Sequence, residues 1–90
     1  MTGGTSGAFN LSVYPNPLES VGTISWRAPR GEEVTIRVID ERGIVVREQT
    51  EVSKGEGSVS LSTDELSSGS YVVELRSGSD VLTSKVQVRK

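Results

Sequence analysis

The stretch from Glu33 to Glu48 constrains this chain most. Val34, Ile36 and Val38 alternate with Thr35 and Arg37, and a period of two puts every second side chain on one face of a strand. The apolar run then meets Asp40-Glu41-Arg42-Gly43 and resumes at Ile44-Val45-Val46. An aspartate at the first position of a type I turn accepts hydrogen bonds from its own backbone. A glycine at the fourth takes the left-handed conformation that closes a three-residue hairpin. The spacing therefore predicts a tight hairpin with Val38 facing Val46 on the buried side and Ile39 facing Val45 on the other. The same register sets Arg37 opposite Arg47, a small like-charge penalty on a solvated face. This hairpin is expected at the centre of an antiparallel β domain.

Similar signals recur on both sides of it. Phe9–Tyr14 alternates with Phe9, Leu11 and Val13 on one face, and Tyr14-Pro15-Asn16-Pro17 stops it with a stiff, non-helical corner. Val21–Ala28 carries Ile24, Trp26 and Ala28 on one face, and Pro29-Arg30-Gly31 turns into the hairpin. Polar Gln49–Gly57 is expected to be the loosest connection. Ser58–Ser62 alternates with Val59 and Leu61 inward. Thr63–Leu66 is expected to form a single helical turn, capped by Thr63 or Ser62, with Leu66 plugged into the core. Gly69 is expected to supply a special backbone angle, and Tyr71 to pack its ring inward with its hydroxyl at the rim. Tyr71–Arg76 and Val81–Arg89 complete the set, the last with Leu82, Ser84, Val86 and Val88 inward across the Ser77–Asp80 turn. Seven short strands make a seven-stranded, immunoglobulin-like antiparallel β-sandwich over Phe9–Lys90, with a barrel of similar strand spacing as the alternative. Met1–Ala8 has neither the basic start nor the apolar segment of a signal peptide. It is expected to be a flexible linker or appended residues, and the chain a piece of something longer.

Composition removes whole classes of function. Ninety residues support one modest core and no cleft between domains. With no His and no Cys, zinc ligation and His- or Cys-based catalysis are excluded. A formal charge of −2 argues against a general nucleic-acid binder. No apolar run approaches the ~20 residues of a membrane span. The adjacent acidic pairs Glu32-Glu33 and Asp64-Glu65 point to opposite faces of an extended chain, so no catalytic carboxylate pair is read from them. Calcium held between loops by Asp40, Asp64 or Asp80 is a weaker reading, and no cofactor is expected.

Four segments, in order, carry a family resemblance. They are Tyr14-Pro15-Asn16-Pro17, then Val38-Ile39-Asp40-Glu41-Arg42-Gly43, then Leu66-Ser67-Ser68-Gly69-Ser70-Tyr71-Val72-Val73, and finally Lys85-Val86-Gln87-Val88-Arg89-Lys90. Together they resemble the type A C-terminal sorting domain of the type IX secretion system, the Por secretion tail. It is carried by many surface proteases, glycosidases and adhesins of Bacteroidetes-type bacteria. The resemblance covers Leu11 to Lys90. Any one motif is weak, and four in register are specific. Ile39 departs from the pattern, since the family usually has an aromatic there.

The resemblance implies a non-enzymatic module that directs a cargo through the periplasm and across the outer membrane to the cell surface. Its partners would be the outer-membrane translocon and a surface peptidase that cuts in the linker, with the cargo then joined to anionic lipopolysaccharide. Lys85, Arg89 and Lys90 place three cations in six residues of an acidic chain. As structure they make a charged edge strand that discourages unwanted pairing. As function they make, with Val86 and Val88, an element read by a receptor. Exposed edge strands would also allow weak self-association. The rival reading is an accessory immunoglobulin-like spacer or weak carbohydrate binder. A sugar platform needs exposed aromatics, and of Phe9, Tyr14, Trp26 and Tyr71 only Tyr14 is expected outside.

Overall fold

Each alternating segment becomes a strand in the computed structural model, which describes residues 9–64, 66–78 and 80–90. The strands are β1 (Asn10–Tyr14), β2 (Val21–Arg27), β3 (Glu33–Ile39), β4 (Val45–Val52), β5 (Glu56–Ser62), β6 (Gly69–Ser77) and β7 (Asp80–Val88). They form two antiparallel sheets in the orders β1-β2-β5 and β4-β3-β6-β7. Among the described residues the only β-bridge outside these ladders is the isolated one between Leu18 and Val88. The architecture is therefore an immunoglobulin-like sandwich and not a barrel. The expectations for Met1–Ala8, and for Glu65 and Ser79 within their turns, lie outside the described residues.

The core fills the space between the sheets. Ile24, Trp26, Ala28 and Leu61 face Val34, Ile36, Val38, Tyr71, Val73, Leu75, Val86 and Val88. Full burial of one such aliphatic side chain stabilises by about 1.5–3 kcal/mol. Trp26 pairs with Gly57, and a Cβ on that glycine would fall 2.5 Å from the indole. The ring thus packs over the one β5 position that has no side chain.

Four expectations are corrected. The β3–β4 ladder pairs Ile39 with Val45 as expected, but then Val38 with Arg47 and Arg37 with Glu48. Val46 is an extra residue in β4, a bulge that shifts every later pair by one. The expected repulsion of Arg37 and Arg47 becomes an ion pair, Arg37 Nε to Glu48 Oε2 at 2.6 Å. Second, the hairpin is not central, because β4 is an edge strand and Ile44, Val45 and Val46 are exposed.

Third, Gln49–Gly57 is not loose. Most of it is regular strand, and the crossing to the other sheet is pinned by buried Ser53. The Ser53 hydroxyl donates to Ala28 O at 2.9 Å and accepts from Gly55 N at 3.0 Å. Its backbone N–H donates to Glu32 O at 2.8 Å. No apolar period marks β4, since nearly all its residues are exposed and the ladder to β3 holds it. Fourth, Thr63–Leu66 is a hydrogen-bonded turn, Leu66 N to Thr63 O at 3.0 Å, with no helix among the described residues. The Thr63 hydroxyl does not cap. It points inward and donates to the carbonyl of Ser20 at 3.0 Å.

Candidate functional site

Antiparallel connection sorts the loops between two ends. One end collects the β1–β2, β3–β4 and β5–β6 connections and the close of β7, and the other collects β2–β3, β4–β5 and β6–β7. All four motif segments lie at the first end.

The Tyr14–Pro17 corner is where β1 stops, with the Tyr14–Pro15 and Asn16–Pro17 peptides both cis. Beyond it the chain runs beside β7. Asn16 Oδ1 accepts from Gln87 N at 3.0 Å, and its Nδ2 donates to Lys85 O at 3.4 Å. Leu18 N donates to Gln87 O at 2.7 Å, and Arg89 N donates to Leu18 O at 2.8 Å. The outer edge of β7 from Lys85 to Arg89 is thus covered by the first loop. Fully buried Leu18 anchors that cover.

At the Asp40 turn, Oδ1 accepts from Arg42 N at 2.9 Å and from Ile44 N at 3.0 Å. The Arg42 guanidinium reaches Oδ2 at 3.1 Å. The Ile44 N–H above all holds the Asp40 carboxyl below its ordinary range; burial opposes it, and the Arg42 side chain and N–H add to the lowering. Gly43 closes the turn at φ 86°, a conformation that costs other residues about 1 kcal/mol or more. Glu41 bends away to accept from Ser70 N at 3.0 Å, which ties this turn to the third motif. There Gly69 holds φ 153°, Leu66 is buried, and Tyr71 packs inward with its hydroxyl donating to Ser67 O at 2.7 Å. An open groove of about 310 Å³ runs between the Asp40–Arg42 turn and the Leu66–Tyr71 segment.

The terminal segment divides by face. Val86 and Val88 are core residues, while Lys85, Gln87 and Arg89 are exposed. Lys90 does not simply project into solvent. Its Nζ donates to Leu66 O at 2.9 Å and its backbone N–H to Ser68 Oγ at 3.0 Å. Lys85 and Arg89 therefore stay exposed beside a strand held in place by Val86 and Val88. Among the described residues neither cation has a carboxylate within ion-pair distance, which holds also for Arg30, Arg47 and Lys54, whereas Arg27, Arg37, Arg42 and Arg76 each do.

Sequence reasoning missed Leu18 and Ser53, gave Glu41 no contact of its own, and read Thr63 as a cap. Only Leu18 carried a signal, as the apolar residue that follows the corner. Asp40 and Asp64 share the motif end while Asp80 begins β7 at the opposite one. No cluster of three or more acidic residues suited to a metal occurs among the described residues. Trp26 is 2% exposed and Tyr71 7%, and Phe9 packs against the core, so only Tyr14 could meet a sugar.

A family model described as the secretion system C-terminal sorting domain matches residues 12–89. That span takes in the whole of the first three motif segments and the terminal one as far as Arg89. No curated protein matches the chain.

Proposed function

The chain belongs to the type IX secretion system C-terminal sorting domain family, and on that premise we propose that its folded motif end is the address by which a larger cargo is exported. Membership implies dealings with the type IX machinery and export to the cell surface or beyond. In the finer reading, a cargo crosses the inner membrane by its own signal, and this domain is recognised in the periplasm and passed through the outer-membrane translocon. A surface peptidase then cuts in the linker ahead of the domain, and the cargo is joined to anionic lipopolysaccharide. The domain performs no catalysis, and Lys85 and Arg89 are its direct contacts, with Lys90 locking the terminal segment down.

One observation carries this reading: the first loop and the last strand meet, through Asn16, Leu18, Gln87 and Arg89, at the end that holds every motif. An address assembled from residues 71 positions apart exists only when the chain is folded. The test uses Lys85→Ser with Arg89→Ser behind a reporter, in a bacterium with a type IX system. Both side chains are exposed and make no ion pair among the described residues, so stability should change by less than about 0.5 kcal/mol. The reporter should nevertheless accumulate in the periplasm, and normal delivery to the surface would show these charges to be a solvated edge only.

A further inference from the structure

The outer face of the four-stranded sheet is laid out in rows, because directly paired residues of an antiparallel ladder share a face. One row runs Glu48, Arg37, Glu74 and Thr83 across β4, β3, β6 and β7. Its charges satisfy one another: Arg37 lies 2.6 Å from Glu48 and 3.7 Å from Glu74, and Arg76 in the next row lies 2.9 Å from Glu74. The adjoining row, nearer the motif end, runs Val45, Ile39, Val72 and Lys85. It is apolar across three strands and ends on an exposed cation. Val45 is 44% exposed, Ile39 and Val72 are partly exposed, and Ile44 beside them is 50% exposed.

On one face, then, the same sheet pairs every charge in one row and leaves the next row apolar, ending on Lys85, which has no ion pair among the described residues. Arg89, also exposed, follows the end of β7, four residues beyond Lys85. An apolar row solvated at one end of a sheet, beside cations without internal partners, is complementary to an apolar surface rimmed by carboxylates. A purely anionic surface, such as lipid headgroups, would use the cations and gain nothing from the aliphatics.

We propose that the Val45–Ile39–Val72 row, with Lys85 and Arg89 at its edge, docks onto a protein surface of the secretion machinery that presents an apolar centre and an acidic rim. This rests on the sorting reading and adds the apolar row to the charged strand.

The test replaces Val45, Ile39 and Val72 together by Thr, which keeps the branched shape that strands favour and removes the apolar surface. The carrier is again a reporter fusion of the full chain, and the purified domain is melted in parallel. Surface delivery should fall by about tenfold or more, as for loss of a central contact, with melting little changed. Lys85→Glu should fall likewise, and Val52→Thr with Val81→Thr, exposed at the far end, should deliver normally. Should the triple variant fail to fold, Val45→Glu alone decides, since that edge position tolerates charge and would face the partner's carboxylates. Normal delivery by the folded triple variant, or by Val45→Glu, overturns the docking row. If removing the whole domain still abolishes delivery, the sorting reading survives that failure. Loss with Lys85→Glu alone would assign the cations to an anionic surface and also overturn the row. Delivery that persists without the domain removes the sorting reading and this one with it.

Discussion

The two ends of the sandwich are built from the same kinds of turn and differ in what those turns bind. At the end without motifs the hydrogen bonds close on themselves. Ser53 pins Ala28, Glu32 and Gly55, and the Ser77 hydroxyl donates to Glu32 Oε1 at 2.9 Å. At the motif end the bonds join segments from the two extremes of the chain, Asn16 to Gln87 and Leu18 to Arg89. Five of the seven large hydrophobics that are exposed among the described residues, Tyr14, Val21, Ile44, Val45 and Val46, also lie there. One end is finished as structure. The other keeps most of the exposed apolar surface on a rigid frame, and exposed apolar surface is what a binding site offers.

The largest test of that contrast is Val88→Asp. It would bury an unpaired carboxylate at a position 2% exposed, beside the Leu18 bridge, and should cost on the order of 4 kcal/mol. Urea unfolding would show it, and a stable variant would mean that the terminal strand is not part of the core. Next comes Ser53→Ala at the opposite end, where a buried hydroxyl with two partners is lost, at about 1–3 kcal/mol. Because Ser53 touches nothing at the motif end, reporter delivery should persist as long as the domain stays folded. A sorting defect in the folded variant would blur the division between the ends.

Asn16→Ala should cost about 1 kcal/mol, and its signature is local. The Gln87 amide loses its acceptor, so hydrogen exchange there should speed up more than at any β3 amide. Uniform acceleration across the sheet would mean that the first loop does not cap β7. The smallest effect belongs to Asp40. Its folded pKa is depressed by the Ile44 and Arg42 contacts, so its contribution is present above the unfolded value of about 3.9 and is lost as pH falls through the lower folded one. Acid unfolding of the parent should therefore be steeper below about pH 4 than that of Asp40→Ala. Parallel curves would remove the charged turn from the account.

Much of the frame was legible because it is local. The alternation in Val34–Val38 and Tyr71–Leu75 names inward faces directly, since a strand side chain points where its parity sends it. The Asp40–Gly43 turn was legible because its hydrogen bonds span at most four residues. The hairpin register was not, because a single extra residue at Val46 converts one set of partners into another and the sequence carries no mark of the bulge. Nor was the Lys90 side chain, whose acceptor is a backbone carbonyl at Leu66. Any residue there offers a carbonyl, so composition cannot point to it.

The amino-acid sequence by itself determined seven strands, the buried faces of all but β4 and the turn at Asp40–Gly43, because those depend on parity and on contacts within a few residues. Tertiary structure alone decided that β4 is an edge, that Asn16 and Leu18 cover β7, and that four separate motifs share one end. Those follow from which strands pair across the sheets, a choice made by burying the Leu18, Trp26 and Val88 side chains together rather than by any residue's neighbours in the chain.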